Sequence, residues 1–146
     1  KLIVVGSGEA YTSLKRKAKD NIIFLNHVSD DELGSLYSRA KCLIFTPDIE
    51  HGLIPIEANA CGTPVVCYGA GGVLDTMINY NGSNKEIATA VFFDKQNAES
   101  LNCALEVFDK VNFNYESLRK NAERFSIPSF QSNIKKIISK SFETNY

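Results

Sequence analysis

The chain has 146 residues, 44% of them hydrophobic, and 16 Lys plus Arg stand against 17 Asp plus Glu for a formal net charge of −1. A chain this long buries roughly two thirds of its unfolded surface, which excludes a small scaffold that depends on disulfides or metal for its core. Near-neutral charge gives no clustered-cation footprint for nucleic acid, no apolar run approaches the ~18 to 20 residues that span a bilayer, and Lys1 to Val5 lack the form of a signal peptide.

In chain order, short apolar runs alternate with helical patterns. Leu2–Val5 reads as a buried strand, Gly6-Ser7-Gly8 as a tight turn, and Glu9–Lys19 as a helix. Ile22–Leu25 is the second strand. Ser29-Asp30-Asp31-Glu32 then has the S-x-x-E form of a capping box, and Leu33, Leu36, Tyr37 and Ala40 recur at i, i+3, i+4 and i+7 as the apolar stripe of a helix. Strands are expected at Cys42–Thr46, Pro64–Cys67 and Val91–Phe93, with helices at Pro55–Cys61 and Val73–Ile78 and a polar turn at Asn79 to Asn84. Helices over Ala98–Phe108, Tyr115–Phe125 and Phe130–Phe142 complete the chain. Strand–helix alternation demands crossover connections, so the expected fold is one α/β domain: a Rossmann-like parallel sheet with helices on both faces and ligands at the carboxyl ends of its strands.

The last of these helices carries an apolar stripe, Phe130, Ile134, Ile137, Ile138 and Phe142, with Lys135, Lys136 and Lys140 beside it. It is expected to pack on its own domain, the alternatives being contact with a partner domain or with a membrane surface. Cys42, Cys61, Cys67 and Cys103 form no C-x-x-C pair and sit in apolar stretches, which reads as four structural thiols and a cytoplasmic location. His27 and His51 are far apart, so no histidine-based metal site is expected.

Three loops could carry chemistry. Gly6-Ser7-Gly8 fails the dinucleotide fingerprint G-x-G-x-x-G, because residue 11 is Tyr11 and no acid closes the second strand. The segment from Pro47 to Val66 is richer. Gly52 lets the chain approach an anion, Pro55 fits the first position of a helix, and free amides at that terminus would attract phosphate. Glu57 then falls in the first turn, either to complement the helix dipole or to accept hydrogen bonds from a ribose diol. Gly69-Ala70-Gly71-Gly72 before Val73 is a second small-residue loop, suited either to a diphosphate or to packing alone. There is no G-x-S-x-G and no Walker sequence.

The run H-G-L-I-P-I-E-A-N-A-C-G-T-P-V-V from His51 to Val66 resembles the donor-binding motif of retaining glycosyltransferases of family 4, a group 1 family with the GT-B fold. Val4 to Gly8, Phe24 to Leu33, Tyr68 to Thr76, Ala90 to Phe93 and Glu123 to Ser126 extend the likeness, which is closest to mannosyltransferase-like members. The resemblance implies that residues 1–146 are a nucleotide-sugar-binding domain truncated at its N-terminus, with the acceptor domain and an upstream Arg and Lys absent. It implies transfer of a hexose, mannose among the candidates, from a GDP- or UDP-sugar to a saccharide or lipid-linked acceptor with retention. No cofactor or essential metal is expected, and the protein would be cytoplasmic, with peripheral contact to the inner face of a membrane as a further possibility.

Residue by residue, the likeness assigns Glu57 to the ribose, Val28 to the base edge, and Gly52, Leu53 and Ile54 to amides meeting diphosphate and sugar. Gly6, Gly71 and Gly72 belong to the two glycine loops. His51 stands where the family has an aromatic residue whose backbone faces the sugar; its imidazole could touch sugar or phosphate, or do neither. The family's sugar-binding glutamate, eight residues before Glu57, is replaced by Ile49, which leaves Glu50 or Asp48 as the candidate carboxylate. Asn26 and Asp75 also depart from the family pattern. Two other readings follow from the same residues: a catalytically inactive nucleotide-sensing or scaffold domain, and a GT-B sugar-nucleotide epimerase.

Overall fold

The computed structural model describes residues 1–143, with side chains described as far as Lys140. The elements run β1 (Leu2–Val5), α1 (Tyr11–Lys17), β2 (Ile22–Leu25), α2 (Asp30–Arg39), β3 (Leu43–Phe45), α3 (Leu53–Ala60), β4 (Val65–Tyr68), α4 (Val73–Thr76), β5 (Ala90–Phe93), α5 (Ala98–Phe108), α6 (Tyr115–Glu123) and α7 (Ile127–Glu143). Every strand pair is parallel, as the alternation requires. Pairing falls into two sheets, β1-β2 and β3-β4-β5, and the chain divides into two compact units, Lys1–Leu36 and Tyr37 onward.

In the first unit, β1 and β2 pair from Leu2↔Ile22 to Val5↔Leu25, and Gly6 extends the ladder by donating its amide to Leu25 O at 2.9 Å. Tyr11 on α1 stands edge-on to Phe24, with ring centroids 5.6 Å apart. The capping box forms as expected. Glu32 Oε2 accepts from the Ser29 amide (2.9 Å) and hydroxyl (3.1 Å), while the Glu32 amide donates to Ser29 Oγ (3.3 Å). Those bonds, from the Ser29 backbone above all, hold the Glu32 carboxyl below its usual pKa.

In the second unit β4 is central. Val65, Val66 and Cys67 are fully buried, and since neighbouring strand residues point to opposite faces, both faces of the sheet are covered. On one side α5 brings Ala104 and Phe108 against Val66, Val91 and Phe93; α3 lies against β3 and β4 and packs on α6. Each such aliphatic side chain contributes about 1.5–3 kcal/mol. Burial pushes the Cys67 thiol up to about 12, the behaviour of an inert core thiol.

Several helix boundaries differ from expectation, α6 ending at Glu123 rather than Phe125 among them, and four have identifiable reasons. α3 starts at Leu53, which puts Pro55 third in the helix rather than first; no N–H is wasted there, because the first four helical amides have no partner within the helix. α4 stops at Thr76 because the chain turns extended at Met77 and Ile78 O accepts the amides of Thr89 and Ala90, so residues 78–80 run along the outer edge of β5. α1 is shorter than Glu9–Lys19, since Ala18 leaves helical geometry. α7 begins three residues early, where Ser126 Oγ accepts the Ser129 amide.

The expectation that α7 packs on its own domain is not met. Ile127 is 74% exposed, Phe130 65% and Ile138 50%, because α3 and α5 already occupy the faces of the three-stranded sheet. The Phe142 side chain of that stripe lies outside the described residues.

Candidate functional site

The β3–α3 connection, residues 46–52, leaves the carboxyl end of β3, and Gly52 is the N-cap of α3. Gly52 is buried and stands so close to Phe45 that a Cβ would meet the ring at 3.3 Å, which seats the start of the helix on the strand it follows. Gly52 has no side chain to cap α3, and no acceptor among the described residues meets the amides of Leu53 and Ile54. Leu53 and Ile54 are 67% and 44% exposed. Two helix amides therefore lack a protein acceptor, on exposed residues at the edge of a parallel sheet where ligands gather, and the dipole adds roughly +0.5 of an elementary charge there.

Glu57 is exposed and lies one turn further in, fifth in the helix rather than in the first turn as the sequence suggested. Complementing the dipole is consequently not its main role, since that effect fades beyond the first turn. Its carboxylate lies close enough to the buried Tyr37 phenol to act on it: burial chiefly, then the negative charge of Glu57, then Cys61, pushes the Tyr37 pKa up.

The second glycine loop is clamped to the first loop. The Gly72 amide donates to Ile49 O at 2.8 Å, and a Cβ at Gly72 would overlap the Glu50 carbonyl. Gly71, at φ +65°, takes the left-handed conformation that favours glycine, and a Cβ there would lie 2.5 Å from Ile49 O and 2.8 Å from Asp48 Oδ1. The Gly72 amide is thus committed to a neighbouring loop, and the four-residue α4 beyond it offers no long dipole. Both glycines serve close approach between the two loops. The bond also pins the register of residues 48–50. Asp48 is turned toward Gly71, and the exposed side chains of Glu50 and His51 are left at the surface beside the start of α3.

The structure therefore gathers Glu50, His51, Gly52, Leu53, Ile54, Glu57, Gly71 and Gly72 on adjoining βα loops of the second unit. Gly6, at φ +132° with open space around it, ends β1 in the first unit, where Val28 is half-buried just before the capped start of α2. Two concavities are formed elsewhere in the second unit, not by these loops: one lined by Arg124, Phe125, Ser129 and Lys136, the other by Lys41, Pro64, Asp109 and Tyr115. Among the described residues no three His, Cys, Asp or Glu side chains converge, and no helix is long and apolar enough to cross a membrane.

Sequence reasoning missed a buried polar cluster beneath the loops. Asn59 on α3, Thr63 and Asn121 on α6 are 0%, 1% and 3% exposed, and all are hydrogen-bonded. Asn59 and Asn121 at core-facing positions of amphipathic helices were the available signal.

Residues 1–125 match the model of the family described as glycosyl transferases group 1. The alpha-1,3/1,6-mannosyltransferase ALG2 of Dictyostelium discoideum is 31% identical over 144 residues, covering 90% of this chain and 32% of that protein. The Candida glabrata protein of the same name is 30% identical over 126 residues, covering 85% and 27%. The chain thus spans about a third or less of the curated relatives it matches. Among solved structures, sucrose-phosphate synthase from Thermosynechococcus elongatus superposes with a TM-score of 0.72 at 21% identity over 99% of this chain and 39% of that one. Anabaena HepE, in complex with UDP-glucose, gives 0.65 at 21% over 94% and 40%. These likenesses establish the fold.

Proposed function

Because the chain belongs to the group 1 glycosyl transferases, we propose that it is the nucleotide-sugar-binding part of a hexosyltransferase, with mannosyl transfer the activity for which similar proteins are named. One observation carries this reading. The uncapped α3 terminus opens at the carboxyl edge of the sheet, with an exposed carboxylate one turn beyond it. The amides of Leu53 and Ile54 meet the diphosphate, Glu57 accepts from the ribose hydroxyls, and Glu50 supplies the carboxylate for the sugar. Gly71 and Gly72 hold the loop that presents Glu50 and His51.

Chemically, the leaving diphosphate gains negative charge as the glycosidic bond breaks. Preorganised amides that are already oriented toward it stabilise that state more than the ground state, without reorganisation. Transfer would proceed with retention to a saccharide or lipid-linked acceptor hydroxyl bound by a further domain, with no cofactor beyond the donor. The protein would work on the cytoplasmic side, with the exposed stripe of α7 available for peripheral membrane contact. Ile49 favours a second reading, a nucleotide-sensing domain without transfer activity, because the family's first glutamate is missing in register.

The test is a titration of the intact protein with GDP and UDP. Amide signals of residues 52–57 should shift, and Glu57→Gln, exposed and so harmless to folding, should weaken binding about 10-fold or more, the worth of a hydrogen bond to a charged group. Unchanged affinity in Glu57→Gln would refute the ribose role. Nucleotide binding without transfer to any acceptor would select the sensing domain.

A further inference from the structure

The loops of the site share one concealed support. Asn121 Nδ2 on α6 donates two hydrogen bonds, to Asn59 Oδ1 on α3 (3.0 Å) and to Thr76 O at the end of α4 (2.8 Å). Arg124 Nη1 holds Asn121 Oδ1 at 2.8 Å, and Asn59 Nδ2 donates to Thr63 O at 3.0 Å. From Thr76 the chain of bonds continues: its Oγ1 donates to Gly72 O (2.9 Å), and the Gly72 amide donates to Ile49 O (2.8 Å). Ile49 leads along the backbone through His51 and Gly52 into α3, which returns to Asn59. The result is a closed ring around the site, and Asn121 is the one side chain in it that touches both helices.

We propose that Asn121 is a positioning residue for the nucleotide-sugar site, acting through Asn59 and Thr76 to fix the α3 terminus and Glu57 relative to the loop carrying Glu50. It rests on the donor reading given above. A core needs only apolar volume at this place, and two leucines would fill it. What an apolar pair cannot do is fix direction: two donors on one planar amide set α3 and α4 at a single mutual angle, and a fully satisfied buried network tolerates little drift. Asn121 touches no ligand in this scheme. It sets where Glu57, two residues from Asn59 on the opposite face of α3, meets the ribose.

The experiment uses the full-length protein with Asn59→Leu, Asn121→Leu and the Leu/Leu double variant, read by urea midpoint, GDP and UDP affinity, and KM against kcat for the donor. Each single variant leaves a buried amide unpaired and should lower the midpoint. The double variant should regain part of the midpoint, since the two amides are removed together while Thr63 O, Thr76 O and Arg124 still lose a partner, and nucleotide affinity should stay about tenfold weaker with donor KM raised. Asn121→Asp covers the case in which the double variant does not recover; it keeps the side-chain volume and an acceptor for Arg124 but loses both donated bonds, to Asn59 Oδ1 and Thr76 O, and should weaken nucleotide binding. Wild-type affinity in the double variant, or in Asn121→Asp, would overturn the proposal. Should the wild type itself bind no nucleotide, the donor reading fails instead, and the ring is judged by hydrogen exchange at the Gly72 amide. Faster exchange in Asn121→Leu supports the ring, and an unchanged rate defeats it.

Discussion

Gly72→Ala isolates the contact between the two loops. Gly72 has φ −64°, an ordinary value for alanine, so no backbone strain enters, and the whole effect is steric. The added methyl would overlap the Glu50 carbonyl oxygen and lie 2.9 Å from its carbon and 3.4 Å from His51 Cα. All of these are backbone atoms that cannot rotate aside, so the loop must move and the bond from the Gly72 amide to Ile49 O is stretched or lost. Overpacking of this kind costs about 1–3 kcal/mol of stability. On the proposed donor reading, a displacement of order 1 Å at Glu50 and His51 should lower transfer by up to about 100-fold. The assay is the initial rate of sugar transfer by the intact protein, with a urea melt on the same sample. Gly34→Ala serves as the control, because nothing lies within 4 Å of its added Cβ inside α2; it should stabilise by about 0.5–1 kcal/mol and leave the rate alone. A Gly72→Ala protein with wild-type rate and midpoint would show that the two loops are not held by this contact.

Two further outcomes follow from the folded units themselves. Glu32 has a lowered carboxyl pKa in the folded chain, so its contribution is present above the unfolded value and is lost as pH falls through the folded one. Glu32→Gln should therefore be less stable than the wild type at neutral pH, and the gap should close below the normal carboxylate range; a gap independent of pH in urea melts would contradict the capping box. Alkylation followed by mass spectrometry should label the exposed Cys103 first, with Cys67, buried and pushed up to about 12, modified only on unfolding. Early labelling of Cys67 in native protein would contradict the core placement.

The five strands were legible in position to within a residue or so, because a parallel strand is a short apolar run bounded by turn residues, and the Ser29–Glu32 box wrote the start of α2 into four adjacent positions. Burial was not legible in the same way: β1 reads as a buried strand, yet Leu2, Ile3 and Val5 are 40%, 44% and 40% exposed, because β1 pairs with β2 alone in a two-stranded sheet. Helix ends set by distant partners were not. α4 stops where Ile78 is claimed by Thr89 and Ala90, a pairing that local periodicity cannot carry. Pro55 misled by two residues because proline is tolerated throughout the first turn, and that moved Glu57 out of it. The site motif was visible as a loop with a helix behind it. The amide from Asn121 that ties the helix down comes from 62 residues further along, and nothing near either asparagine announces the other.

The segment at residues 78–80 bears on how this protein behaves when crowded. A bare outermost strand is a template onto which other chains add, the first step of fibrous deposits. Here Tyr80 donates to Ala90 O, Ile78 O accepts from Ala90, and Asn79 Oδ1 accepts the Phe92 amide at 2.9 Å, so both lateral groups of Ala90 and the amide of Phe92 are already spoken for. Asn79 thus acts as a stopper at Phe92, and Asn79→Val, which frees that one amide, should raise light scattering in concentrated solution relative to the wild type.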